Sequence, residues 1–188
     1  DPPSPLVTYA LDGEVATIAM DDGKVNALSP AMFAELNAAL DRAEAEAAAV
    51  VLTGRDTIFS AGFHLPTLTA GGDATVGLMD DGFGLARRLL AFPVPVVAAV
   101  RGHVLAMGLF LVLSTDLRLG GTEPCRLVAN EVAIGFPMPR SATEVLRQRL
   151  TPAAFHRAVV LADEFNPTQA VAAGKLDALV SGGPAAVL

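Results

Sequence analysis

Short apolar runs bounded by turn residues alternate along this chain with longer stretches whose apolar positions return every three or four residues. The runs read as buried strands, the longer stretches as helices lying on a core. Residues 6–10 and 14–20 are strands around Leu11-Asp12-Gly13, a hairpin signal. A polar turn, 21–24, leads to Ser29-Pro30, which opens a helix with serine as cap and proline in its first turn. Phe33, Leu36, Leu40 and Ala43 give that helix one apolar face. Residues 50–53 are the next strand, and strand–helix–strand succession predicts parallel pairing.

The densest apolar stretch runs from 93 to 111. Within it, 95–100 is a buried strand entered through Pro93 and Pro95, which fit only at its start. Arg101-Gly102-His103 breaks the strand, and 104–113 reads as a buried helix with a glycine inside it. A strand, a glycine turn and a helix N-terminus aim unpaired backbone N–H groups at one spot. Such a spot suits a carbonyl oxygen that becomes an oxyanion. The stretch alone also fits an ordinary strand–helix unit. Residues 50–65 repeat the theme as a strand, a turn and the loop Ser60-Ala61-Gly62. The interval 66–82 carries Thr, Gly and Asp with little periodicity and reads as a mobile loop. Residues 83–92 are helical on Leu85, Leu89 and Phe92, with Arg87 and Arg88 either solvated or held by a phosphate. Beyond lie a strand at 115–119, a segment at 126–129, a loop at Glu131 and a helix at 140–149. Thr151-Pro152 caps a helix ending near Leu161, Asn166-Pro167 starts a short one closed by Gly174, and 176–180 returns as a strand. Residues 1–5 form a loose proline-rich lead-in.

Composition narrows the classes. A chain of 188 residues, 52% hydrophobic and 18% charged, is large enough for a real core and unlike a disordered chain. A net charge of −7 argues against nucleic acid or an anionic membrane as partner, but leaves room for a ligand whose phosphates need only a local basic patch. One cysteine, Cys125, permits no internal disulfide and fits a reducing cytoplasm. The N-terminus shows no signal peptide, and 104–113 is too short to span a bilayer. The three histidines make no metal-ligand spacing, and there is no Walker-type phosphate loop.

Taken together, four motifs resemble the crotonase (enoyl-CoA hydratase/isomerase) superfamily: Asn26-Ala27-Leu28, Phe59-Ser60-Ala61-Gly62-Phe63-His64-Leu65, the proline-led strand with its glycine turn at 93–108, and Asn130-Glu131 followed by Gly135. The resemblance covers about 6–180 and departs from the pattern at three places: His64 stands for Asp, Asn130 for Pro, and Phe110 for Glu. It implies an α/β fold, a crotonase-like spiral of β-β-α repeats with surrounding helices, in one core domain over 1–188. It also implies that the family's C-terminal helical trimerisation segment is largely absent from the sequence given, and that the partners are an acyl-CoA thioester and copies of the chain in a homotrimer or hexamer. Coenzyme A enters as part of the substrate, with no separate cofactor and no metal.

The resemblance assigns the chemistry. Backbone N–H groups of Phe63 and Met107 form the oxyanion hole, and Glu131 is the catalytic carboxylate. A buried carboxylate has a raised pKa and can take a proton and then return it. The family's hydratases use a second glutamate, here replaced by Phe110, so the pattern implies the single-glutamate 3-enoyl to 2-enoyl-CoA isomerases of fatty-acid metabolism. The alternatives are a 2-enoyl-CoA hydratase in which Glu131 works with another polar group, and a non-catalytic acyl-CoA binder. Substrate contacts are implied for the backbone of Asn26, Ala27 and Leu28 and of the Ala61–Leu65 loop, which holds His64 and Leu65, and for Phe110, with Lys24 a candidate phosphate contact or a solvated turn lysine. His64 stays open among a contact to coenzyme A, an extra base and a loop hydrogen bond. His103 and His156 receive no role.

Overall fold

The computed structural model describes residues 4–181; residues 1–3 of the proline-rich lead-in and residues 182–188 lie outside the described residues. Strands β1 (Val7–Asp12) and β2 (Val15–Met20) form the expected hairpin, paired antiparallel from Val7 opposite Met20 to Asp12 opposite Val15. A two-residue strand β3 (Ala27–Leu28) precedes helix α1 (Pro30–Glu46). Ser29 caps α1 through its hydroxyl, which accepts from the Met32 N–H at 3.1 Å. The predicted face of Phe33, Leu36, Leu40 and Ala43 is buried, with Met32 and Ala39 beside it.

The chain then returns through β4 (Ala49–Thr53), parallel to β2, and turns into two short strands, β5 (Ile58–Ser60) and β6 (Gly62–Phe63). Helices α2 (Leu65–Thr69) and α3 (Gly72–Leu90) follow. Next come β7 (Val96–Val100), β8 (His103–Leu105) and α4 (Met107–Leu113), then β9 (Leu117–Gly121) and β10 (Leu127–Val128). A 3₁₀ turn at Val132–Ile134 leads to α5 (Arg140–Arg149), α6 (Pro152–Leu161), α7 (Pro167–Ala173) and β11 (Ala178–Val180).

Six strands form the large sheet in the order β1-β2-β4-β7-β9-β11, parallel throughout except at the opening hairpin. Between visits to it the chain lays down a strand of a smaller sheet, β10-β8-β5 or β3-β6, and then a helix. The fold is therefore the α/β spiral of β-β-α turns expected from the resemblance. Every residue of α4 is buried, as befits a helix apolar on all sides.

Two expectations are corrected. The interval 66–82 is helical rather than a loop: α2 and α3 cover most of it. Leu78, Gly82, Leu85, Ala86 and Leu89 do recur at helical spacing and are buried, but a glycine in the stripe disguises it. The central helix starts at Met107, not 104, because His103–Leu105 is spent on β8. Strands of two or three residues are too short to show a period.

Candidate active site

The turn that opens α4 is conformationally unusual. Ala106 has φ 48 and ψ −125, a region that favours glycine. Its N–H donates to the Val128 carbonyl at 2.9 Å, and its own carbonyl accepts from the Leu109 N–H at 2.9 Å. Met107 is thus the first helical residue, and its N–H has no carbonyl to bond within α4.

Against this turn lies β6. A Cβ built on Gly62 would stand 2.8 Å from the Ala106 Cβ and 3.3 Å from the Met107 nitrogen. Only glycine permits that approach, and Gly62 also has φ +91. The strand segment carrying the Phe63 N–H therefore touches the helix start carrying the Met107 N–H. Below them Ser60 is wholly buried, its hydroxyl donating to the Asn26 carbonyl at 2.7 Å and accepting from the Gly62 N–H at 3.1 Å. Asn26, also wholly buried, donates through Nδ2 to the Met20 and Phe59 carbonyls at 2.9 and 3.1 Å. Asp22 holds the same turn by accepting from the Lys24, Asn26 and Ala27 N–H groups at 2.7–2.9 Å. Burial works against its charge, but these bonds outweigh it and hold the carboxyl below the usual range.

Over this floor opens a cavity of about 830 Å³. Glu131 reaches it from the segment after β10, where its carbonyl accepts from the Phe136 N–H at 2.9 Å. Its Oε2 is buried, and no donor among the described residues reaches it. Burial pushes its carboxyl up from the ordinary glutamate value, only partly offset by its own backbone N–H. An aromatic wall also lines the cavity: Phe110 stacks on Phe83 with ring centres 6.2 Å apart and planes at 22°, and Phe83 meets Phe63 edge-on at 6.4 Å. The wall depends on Gly82, whose Cβ would fall 2.5 Å from Cε1 of Phe63.

Of the residues singled out from sequence, Lys24, Ala27, Ala61, Phe63, His64, Leu65, Phe110 and Glu131 line this one cavity. Asn26, Leu28 and Met107 do not: their side chains are wholly buried in the structure that carries it. His64 lies on the wall while Nδ1 pairs with Thr67 Oγ1 at 2.8 Å, the loop hydrogen bond among its three readings. Arg88 is tied to Asn37, Asp41 and Glu44 of α1, and Arg87 is exposed. Burial raises the Cys125 thiol to about 11, which leaves it unreactive. Sequence reading missed Asp22, Asn130, Phe83 and Ala106 as cavity residues. Asn130 and Ala106 adjoin residues that were recognised, and Asp22 is tied by local bonds to Lys24 and the Asn26-Ala27 motif; Phe83 is brought in by tertiary packing.

Residues 11–184 match the family model for enoyl-CoA hydratase/isomerase. An enoyl-CoA hydratase/isomerase family protein from Pseudomonas syringae is 45% identical, with a TM-score of 0.92 over 95% of this chain and 77% of that one. A Mycobacterium tuberculosis enoyl-CoA isomerase is 43% identical, with a TM-score of 0.92 over 98% of this chain and 80% of that one. A putative enoyl-CoA hydratase from Thermus thermophilus is 40% identical over 131 residues, 66% of this chain and 51% of that protein. The chain spans about half the length of the first curated relatives it matches.

Proposed function

The chain belongs to the enoyl-CoA hydratase/isomerase family, and from that premise we propose that it isomerises 3-enoyl-CoA to 2-enoyl-CoA. The thioester oxygen accepts from the Phe63 and Met107 N–H groups. Glu131 removes a proton from C2, the charge spreads into a dienolate held at that oxygen, and Glu131 returns the proton to C4. One carboxylate serves as base and then acid, a task for which a raised pKa suits it.

One observation carries this reading. Glu131 is the carboxylate of the cavity with a buried oxygen that no donor among the described residues reaches, while Phe110 fills the helix position where the resemblance puts the second glutamate of the family's hydratases. The other carboxylate on the wall, Asp22, has both oxygens engaged by backbone N–H groups. Relatives named as isomerase and as hydratase both occur, so the reading rests on these side chains. Coenzyme A then lies along the backbone near Ala61–Leu65 and the Asn26–Leu28 segment, with Lys24 at the mouth. A homotrimer or hexamer working on fatty acyl-CoA in the cytoplasm completes the proposal. No helix among the described residues is long and apolar enough to cross a membrane.

The test is Glu131→Gln, which keeps shape and hydrogen bonding but cannot take a proton. Acyl-CoA binding is expected to persist while turnover of 3-enoyl-CoA falls by about a hundredfold or more. Turnover at the parent rate means that Glu131 is not the base, and His64 becomes the next residue to change.

A further inference from the structure

Lys175 is a buried ionisable group that the proposed reaction does not use. It follows α7 and is wholly buried. Its Nζ donates to the Leu127 carbonyl at 2.8 Å and lies 3.8 Å from the centre of the Phe165 ring. Phe165 is itself bound to Leu127: the Leu127 N–H donates to the Phe165 carbonyl at 2.9 Å, and the Phe165 N–H to the Leu127 carbonyl at 3.3 Å. Phe165 and Lys175 thus hold one edge of β10. The other edge sets the site, where the Val104 N–H donates to the Arg126 carbonyl and the Ala106 N–H to the Val128 carbonyl, both at 2.9 Å. Leu127 therefore adjoins the residue whose carbonyl fixes the Ala106 turn, and the same segment runs on to Glu131.

Donor counting separates the two forms of this lysine. An ammonium has three N–H groups, and among the described residues only the Leu127 carbonyl accepts from it. The Phe165 ring attracts the charge, but one carbonyl and one ring replace a full shell of water. Asp163 favours the charge yet is committed to Arg157 at 2.7 Å, and Arg157 opposes it while lying over the same ring. Around β10, Arg126 pairs with Glu164, Arg118 with Asp177, and α7 carries no ionisable side chain. On β8, His103 Nδ1 accepts the Arg126 N–H at 3.1 Å. An amine has two N–H groups, one for the carbonyl and one for the ring. Burial accordingly lowers the lysine from 10.5 to about 7.

We propose that Lys175 is a positioning residue that works as the neutral amine: uncharged, it holds β10 and with it the Ala106 turn; protonated, it lets both loosen. The consequence for turnover rests on the proposed reaction at Met107, whereas the loosening itself does not.

The test is amide hydrogen exchange of the full chain, read by mass spectrometry near pH 6 and near pH 8 and corrected for the chemical pH dependence of exchange. Protection of peptides spanning 103–110 and 125–129 is expected to be about tenfold higher at the upper pH in the parent, with a much smaller change in β4. The difference should vanish in Lys175→Met and in Lys175→Gln, and persist in His103→Gln. No difference in the parent, an equal one in β4, one that survives in the Lys175 variants, or one that disappears in His103→Gln overturns the proposal. Where both Lys175 variants fail to fold, the parent and His103→Gln still decide it. Turnover of 3-enoyl-CoA should rise with pH more in the parent than in Lys175→Gln, any rise left in that variant belonging to Glu131; an equal rise in both overturns the positioning role. A parent inactive on 3-enoyl-CoA with the exchange result intact removes the isomerase reading and supports the hold of Lys175 on the turn.

Discussion

Ala106 shows how one residue serves the site at a cost to the fold. A non-glycine residue at φ 48 and ψ −125 is strained by about 1–3 kcal/mol, and here the strain sits in the turn that opens α4 against Gly62 of β6. Ala106→Gly relieves the strain but frees the unfolded chain, so the net gain is about 1 kcal/mol. Urea denaturation should show a higher midpoint at unchanged slope; a lower midpoint means the methyl group contributes more by packing on Gly62 than it costs in strain. At this scale much of the candidate site was legible. Glu131, Phe63 and Met107 sit in local motifs whose spacing is visible in the chain. Phe83 was not legible as a cavity residue, because it adjoins none of those motifs in sequence and only packing brings it to them. The motif at Asn26 implies a backbone contact, and its side chain is spent on the Met20 and Phe59 carbonyls, a use that a motif, which names a position and not a side-chain direction, does not tell.

At the scale of elements, long helices announce themselves and short strands do not. Helix α1 carries cap, proline and apolar face in one uninterrupted pattern. Strands β3, β6 and β10 have two residues each, and their pairing depends on neighbours far away in sequence. What fastens β10 is a buried lysine after α7. Lys175 donates to the Leu127 carbonyl at 2.8 Å and sits 3.8 Å above the centre of the Phe165 ring. Burial lowers its pKa from 10.5 to about 7, Asp163 pulling it up and Arg157 pushing it down by smaller amounts. A depressed lysine pKa means that the unfolded chain binds more protons between those values. Stability therefore rises with pH from about 7 toward 10.5, by at most about 1.4 kcal/mol per unit from this group, and is lost as pH falls through 7. Lys175→Met should flatten that rise when unfolding is measured at pH near 7 and near 9. An equal rise in parent and variant places the linkage elsewhere.

Across the whole molecule, the proposed function sets an acidic chain against an acidic ligand. In the proposed complex the net charge of −7 repels the phosphates of coenzyme A, so that binding rests on local backbone contacts and on Lys24, which lines the cavity. The nucleotide end still supplies much of the binding in the proposed complex. Calorimetry should find acyl-CoA bound more tightly than the free fatty acid of the same length; equal affinities count against an acyl-CoA site. The order of the large sheet, β1-β2-β4-β7-β9-β11, follows the order of the chain without a skip. Each strand of that sheet thus docks only on one made before it, and the fold can grow in the direction of synthesis. Chemistry does not grow in step with it. The Ala106 N–H finds its acceptor only when Val128 arrives, and Glu131 lies three residues further on. A growing chain can bury α4 and still lack both the bond that sets the Ala106 turn and the carboxylate to which the proposed function gives the proton. Competence is then a late event of folding, reached when the turns of the spiral that carry β8 and β10 close on each other.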